Sequence, residues 1–170
     1  LPEWFTNDSL NRLSNALCDF GRSHPNIYMQ VVVADNTKLH RMLDDGKLNI
    51  AIAIPQKHTE EPDDYTSEQL VWVCAQNMDP IENNKNVGLV LFQHPCQFRK
   101  IAFDALENVG LVPEERFTTT SVAVAQAAIT SSVGVSLLPL SAVQPNHRIL
   151  TQAEGFPELP PIKLSVFKEK

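Results

Sequence analysis

Short apolar runs alternate along this chain with segments whose apolar residues recur every three to four positions, and that alternation confines the fold to an α/β arrangement. "IYMQVVVA" (27–34) sets Ile27, Met29, Val31 and Val33 at every second position among β-branched neighbours, a strand pattern. "LNIAIAI" (48–54) is an unbroken apolar run of the kind buried on both faces of a parallel sheet. "LVWVCA" (70–75), "VGLVLF" (87–92), "RFTTT" (116–120), "VSLLP" (135–139) and "IKLSVF" (162–167) read as further strands. Four segments between them have helical spacing. Leu10, Leu13, Leu17 and Phe20 predict an amphipathic helix that Asp8 or Ser9 caps and Gly21 stops. Asp35, Asn36 and Thr37 open a short helix through Leu39, Met42 and Leu43, closed by Gly46. Phe98, Ile101, Ala102, Ala105, Leu106 and Val109 form one apolar face over 97–109, with Gly110 as the stop. Val122, Ala125, Ala128 and Ile129 give a face of mostly small residues that lets a helix lie close on its sheet before Gly134. Strands separated by crossover helices predict parallel pairing with right-handed connections.

The remaining stretches divide this alternation. "PQKHTEEPDDYTS" (55–67) is polar and acidic and reads as a solvated loop. "QNMDPIENNKN" (76–86) is the natural place to leave one lobe for another. Pro139, Pro145, Pro157, Pro160 and Pro161 leave no room for another helical unit, so the last strand is expected to return to the first lobe. With 170 residues, 43% of them hydrophobic, the chain can build one domain or two small lobes around a real core.

Charge and cysteine usage exclude several functions. Fourteen basic residues against twenty acidic ones give a net charge of −6, which repels nucleic acid and anionic membrane. No apolar run approaches the roughly 20 residues that span a bilayer. Cys18, Cys74 and Cys96 are odd in number and lack CxxC spacing, against a disulfide framework or a zinc site and in favour of a reducing cytosol. His24, His40, His58 and His147 are scattered without ligand spacing. No metal and no cofactor is expected. The chain opens on Leu1 rather than Met, so it is expected to be cut from something longer.

Chemistry is expected where strands run into helices. A helix start bares N–H groups and the positive end of a dipole, which attract carboxylates and other anions. Three such joints recur: "DNT" (35–37), the turn at Cys96, Gln97 and Arg99, and "TTTS" (118–121). In open α/β sheets ligands bind beyond the carboxyl ends of strands, where joints like these gather. Each alone is ordinary capping chemistry, and three at one sheet edge make a candidate site. Cys96 beside His94 also has the form of an activated thiolate, although no acid is evident to orient the histidine.

Several quoted stretches together resemble the effector-binding domain of LysR-type transcriptional regulators. They are "HPNIYMQVVV", "LHRMLDDGKLNIAIAI", "EQLVWVCA", "LVLFQHPCQFRKIAFDALENVG", "FTTTSVAVAQAAITSSVGVSLLP" and "LPPIKLSVF". The Gly-Val-x-Leu-Leu-Pro ending after an Ala-rich helix is the most specific, and Asn49 replaces the family's usual Asp. The resemblance implies a two-lobed α/β fold of the periplasmic-binding-protein type 2 kind, truncated at both ends. One lobe would comprise 1–75 with 141–170 returning to it, and the other 76–140. By position, the family's effector contacts fall on Asn36, Thr37, Pro55, Cys96, Phe98, Arg99, Thr119, Thr120 and Ser121.

The family's N-terminal winged helix-turn-helix, its first effector-domain strand and its closing helix have no counterpart in these residues. DNA binding is therefore expected only through an N-terminal domain outside this sequence. The resemblance also implies a cytoplasmic homodimer or tetramer without membrane contact, the Leu10–Phe20 helix of one copy lying near the 98–109 helix of another. Arg99 and the helix starts favour an anionic effector, and Phe92 and Phe98 leave room for an aromatic one. A solute-binding protein of a transport system and a Cys96-dependent enzyme are the alternatives.

Overall fold

A computed structural model describes residues 15, 17–56 and 65–169. Its first described element is helix α1, described over 17–23, which runs past Gly21. The Ser23 hydroxyl donates to Asp19 C=O at 2.8 Å there. Leu10, Leu13 and the expected caps Asp8 and Ser9 lie outside the described residues.

Two of the expected strands differ from expectation, for one reason. The stretch 27–34 has the side chains of a strand but joins no ladder, and Tyr28 and Val33 are 89% and 95% exposed. β-propensity reports fit to a pleated, half-buried surface, and this stretch has no neighbouring strand to supply one. Strand β1 (Ile50–Ala53) does form, within "LNIAIAI", but only Ala51 and Ala53 are buried. Its other face, Ile50 and Ile52, remains exposed.

Helix α2 (Asn36–Asp44) packs on β1. Asp35 accepts from Lys38 N–H at 2.9 Å to cap its start, and Gly46 closes its end at φ +66°, a left-handed conformation glycine adopts without Cβ strain. β2 (Tyr65–Glu68) forms in what reads as loop, because β8 (Ile162–Lys168) passes beside it. The order is β1-β8-β2, antiparallel throughout. Strand β8, near the end of the chain, thus lies in the first sheet.

The second sheet holds the core. β3 (Leu70–Ala75) lies between β6 (Ser136–Pro139) and β7 (His147–Leu150), antiparallel to both. β4 (Asn86–Phe92) pairs in parallel with β5 (Val112–Thr119). Val90 N–H donates to Val135 C=O and Val135 N–H to Gly88 C=O, each at 2.8 Å, joining the two ladders into the order β5-β4-β6-β3-β7. Gly134 permits that junction, since a Cβ there would stand 2.5 Å from the Gly88 carbonyl oxygen.

Helix α3 (Gln97–Asn108) covers one face of this sheet and α4 (Val122–Thr130) the other. Ala102 and Leu106 join Trp72, Leu89, Leu91 and Phe156 in one cluster; Ala125 and Ile129 join Val73, Val90 and Leu138 in the second. Among the described residues, parallel pairing is therefore confined to β4, β5 and the Leu89–Val135 bridge. The other ladders are antiparallel and join strands that are not consecutive in sequence, β1 and β2 with β8 and β3 with β6 and β7. In hydrogen-bond terms the two sheets exchange at Gln69, whose side-chain amide donates to Leu159 C=O at 3.1 Å on the returning chain.

Candidate functional site

Asn36 and Pro55 are brought together by one side chain. The Asn36 amide donates to Ile54 C=O at 3.0 Å and accepts from Ile54 N–H at 2.7 Å, matching the outward main-chain groups of the strand end as a neighbouring strand would. His40, which carried no functional signal in the sequence, is buried and reaches the same carbonyl at 2.8 Å, while its ring meets Phe167 edge-on at 4.8 Å. These contacts pin Pro55 beside the first turn of α2, where Thr37 stands half-buried.

Cys96, Phe98 and Arg99 are brought to Thr119, Thr120 and Ser121 by the parallel pair. Phe92 and Thr119 are register partners at the carboxyl ends of β4 and β5, and Gln93 N–H donates to Thr119 C=O at 3.0 Å. The two turns that follow are therefore neighbours at one sheet edge, as expected of joints in an open α/β sheet. Cys96 is the N-cap of α3 and its side chain makes no capping hydrogen bond. The N–H groups of that first turn are left to a ligand or water. In the second turn Ser121 Oγ accepts from Val124 N–H at 3.4 Å and Thr119 Oγ1 from Ser121 N–H at 3.1 Å. Thr120 is exposed and has no part in the capping.

Two expected residues have other engagements. Phe98 packs against the larger core cluster. Arg99 forms a close ion pair with Glu115, and its guanidinium lies 5.6 Å from the Phe103 ring. Glu115 also accepts from the Thr118 hydroxyl, and the Arg99 and Thr118 bonds together hold its carboxyl down to about 2. Glu115 was not singled out in the sequence, and Thr118 only as the first hydroxyl of the joint at 118–121. Their signal was present only as charge and hydroxyl facing the same way across a bulged strand, which needs the ladder to be visible.

The hydrogen bonds around Asn36 run within the β1-β8-β2 unit, and those around Cys96 and Thr119 within the β5-β4-β6-β3-β7 unit. Elsewhere, a groove of about 370 Å³ follows the returning chain between Gln69, Trp72, Thr151 and Phe156, lined by none of the nine expected site residues. No cluster of metal-ligating side chains occurs among the described residues.

A family profile described as the LysR substrate binding domain matches residues 7–167. The chain belongs to that family. The HTH-type transcriptional regulator PecT of Dickeya dadantii (strain 3937) is 24% identical over 141 residues, covering 80% of this chain and 43% of PecT. The CcmR regulatory domain of Synechocystis PCC6803, solved with 2-PG, superimposes with a TM-score of 0.69 at 15% identity, covering 93% of this chain and 81% of that one. The effector-binding domain of QuiR, solved with shikimate, gives 0.62 at 17% identity over 90% and 79%. The two-lobed α/β fold expected from the sequence is thus the fold of this chain. It spans a little under half the length of the curated relatives it matches.

Proposed function

We propose that this chain is the effector-sensing part of a bacterial LysR-type transcriptional regulator, binding a small molecule between lobes formed by 1–75 with 141–170 and by 76–140. The observation that carries this reading is the pairing of two helix starts, at Cys96 and Ser121, side by side beyond the carboxyl ends of β4 and β5. Unfilled N–H groups and an idle Thr120 hydroxyl supply donors for an anion at one place, and the Arg99 guanidinium joins them only where an anion competes with Glu115 for it. Thr37 and Pro55, held by Asn36 and Ile54, supply the opposing wall.

A carboxylate-bearing effector fits these donors best. The ligands named for CcmR and QuiR support small molecules as the class. Binding shifts the regulator only so far as the ligand prefers one arrangement of lobes or subunits over another. DNA contact belongs to an N-terminal domain of the longer regulator, which acts in the cytoplasm as a homodimer or tetramer. In this reading the chain catalyses no reaction.

A thermal-shift screen of small organic acids, followed by calorimetry of hits on the wild type and Thr120→Val, tests the reading. The expected result is a binder whose affinity falls at least tenfold in the variant while the unliganded melting temperature stays put. A binder indifferent to Thr120 would leave that residue without a role and move the site elsewhere. Assaying candidate hydrolase substrates before and after alkylation of Cys96 tests the Cys-dependent alternative, and activity that survives alkylation removes it.

A further inference from the structure

Where β7 gives way to the returning chain, part of the β3 edge is left bare. Leu140 N–H donates to Gln69 C=O at 2.8 Å, so Gln69 and Val71 turn their main-chain groups to β6, while Leu70 and Trp72 turn theirs to β7. Trp72 has its partner there in Leu150, the last residue of β7. The position opposite Leu70 would fall on Gln152, where the chain has already entered a short helical turn (Gln152–Glu154). Leu70 C=O accepts the Gln69 side-chain amide at 2.9 Å. Leu70 N–H meets no partner among the described residues, although Leu70 is buried. A buried main-chain donor is seldom left alone, and an acceptor from a ligand or a water completes it.

The groove of about 370 Å³ lies on this edge. One wall is the returning chain, which crosses β3 on side-chain bonds instead of a ladder. Trp72 Nε1–H donates to Pro157 C=O at 2.9 Å, and the Gln69 amide donates also to Leu159 C=O at 3.1 Å. Two carbonyl partners fix which end of the Gln69 amide is nitrogen, and its Oε1 accepts no hydrogen bond among the described residues. Leu70, Leu150, Leu159 and the tilted Trp72–Phe156 pair, ring centroids 5.6 Å apart, make the lining apolar. Glu158 is the only charged residue on that lining, and no lysine, arginine or histidine offsets it. Its carboxylate is exposed and has no ion-pair partner among the described residues.

We propose that this groove is a binding site for a small aromatic amine that also carries a hydroxyl or carbonyl oxygen. The ring lies against the leucine surface, the oxygen accepts from Leu70 N–H, and the ammonium faces Glu158 and Gln69 Oε1. The volume is at the small end of the roughly 300–1,000 Å³ of ligand clefts, enough for one such molecule. A carboxylate, which suits the helix starts at Cys96 and Ser121, meets only like charge here. The groove shares no residue with the proposed effector site, so either assignment can fail without the other.

Calorimetry and amide NMR of the 170-residue chain with tyramine test it, with para-hydroxyphenylacetate as an acid bearing the same ring and hydroxyl. The expected result is saturable binding of tyramine and none of the acid, with the Leu70 and Ala153 amide signals moving on titration and those of Thr119 to Ser121 staying put. Glu158→Gln should weaken tyramine about threefold, as loss of an exposed ion pair allows. Glu158→Lys should abolish tyramine binding and admit the acid instead. Position 158 is exposed, and circular dichroism identical to wild type shows that both variants fold. No saturable binding of tyramine at millimolar concentration, equal binding of the acid by the wild type, tyramine affinity unchanged in Glu158→Lys, or signal changes confined to residues 96–99 and 119–121 would each overturn the proposal.

Discussion

Replacing Asn36 by alanine isolates the contact that fastens one wall of the candidate site. Two hydrogen bonds are lost, 3.0 Å to Ile54 C=O and 2.7 Å from Ile54 N–H. The carbonyl keeps His40 at 2.8 Å, so its loss is small, at the low end of the ~0.5–1.5 kcal/mol of a neutral hydrogen bond. The N–H keeps nothing in a half-buried position, and an orphaned donor costs about 1–3 kcal/mol. Together these predict destabilisation of about 2 kcal/mol, a fall in melting temperature of roughly 4–8 °C for a chain of this size. Asn36→Asp retains the acceptor for Ile54 N–H and loses only the donor, so it should fall between the two. Urea unfolding with unchanged slope is the assay. An Asn36→Ala variant within about 0.5 kcal/mol of wild type, or an aspartate variant worse than alanine, would refute the assignment of that amide to the strand end.

Other outcomes follow from contacts elsewhere. Gly134→Ala places a Cβ 2.5 Å from the Gly88 carbonyl oxygen, with no flexible side chain to yield, and should cost about 1–3 kcal/mol in urea unfolding. His147 is buried, its imidazole pushed down by that burial, and it accepts at Nδ1 from Gln144 N–H. Its depressed folded pKa means the unfolded chain takes the proton more readily, so stability falls as pH drops below about 6.5, and His147→Gln should flatten that part of the pH profile. Glu115 is also depressed, so the Arg99–Glu115–Thr118 contact contributes fully above the ordinary carboxylate range and is lost as pH falls toward 2. Glu115→Gln frees the Arg99 charge, and under the proposed function calorimetry should show tighter binding of an anionic effector; unchanged affinity would place Arg99 outside the site.

Local pattern alone determined much of this protein. β3, β4, α3, α4, β6 and β8 lie where the spacing of apolar residues and the capping groups put them, because those signals are carried by neighbours in sequence. The two joints at Cys96 and Thr119 were legible for the same reason, each being a strand running directly into a helix. Only the tertiary structure decided which edges and faces have partners. Segment 27–34 and β1 both have strand chemistry, yet one joins no ladder and the other pairs on one side only, since a strand's ladder is a property of what lies beside it. β7 forms inside a proline-rich tail because β3 offers it an edge, and the Arg99–Glu115 pair exists because β5 runs alongside α3. Contacts between residues distant in sequence require the chain to be closed on itself, and no local spacing encodes them.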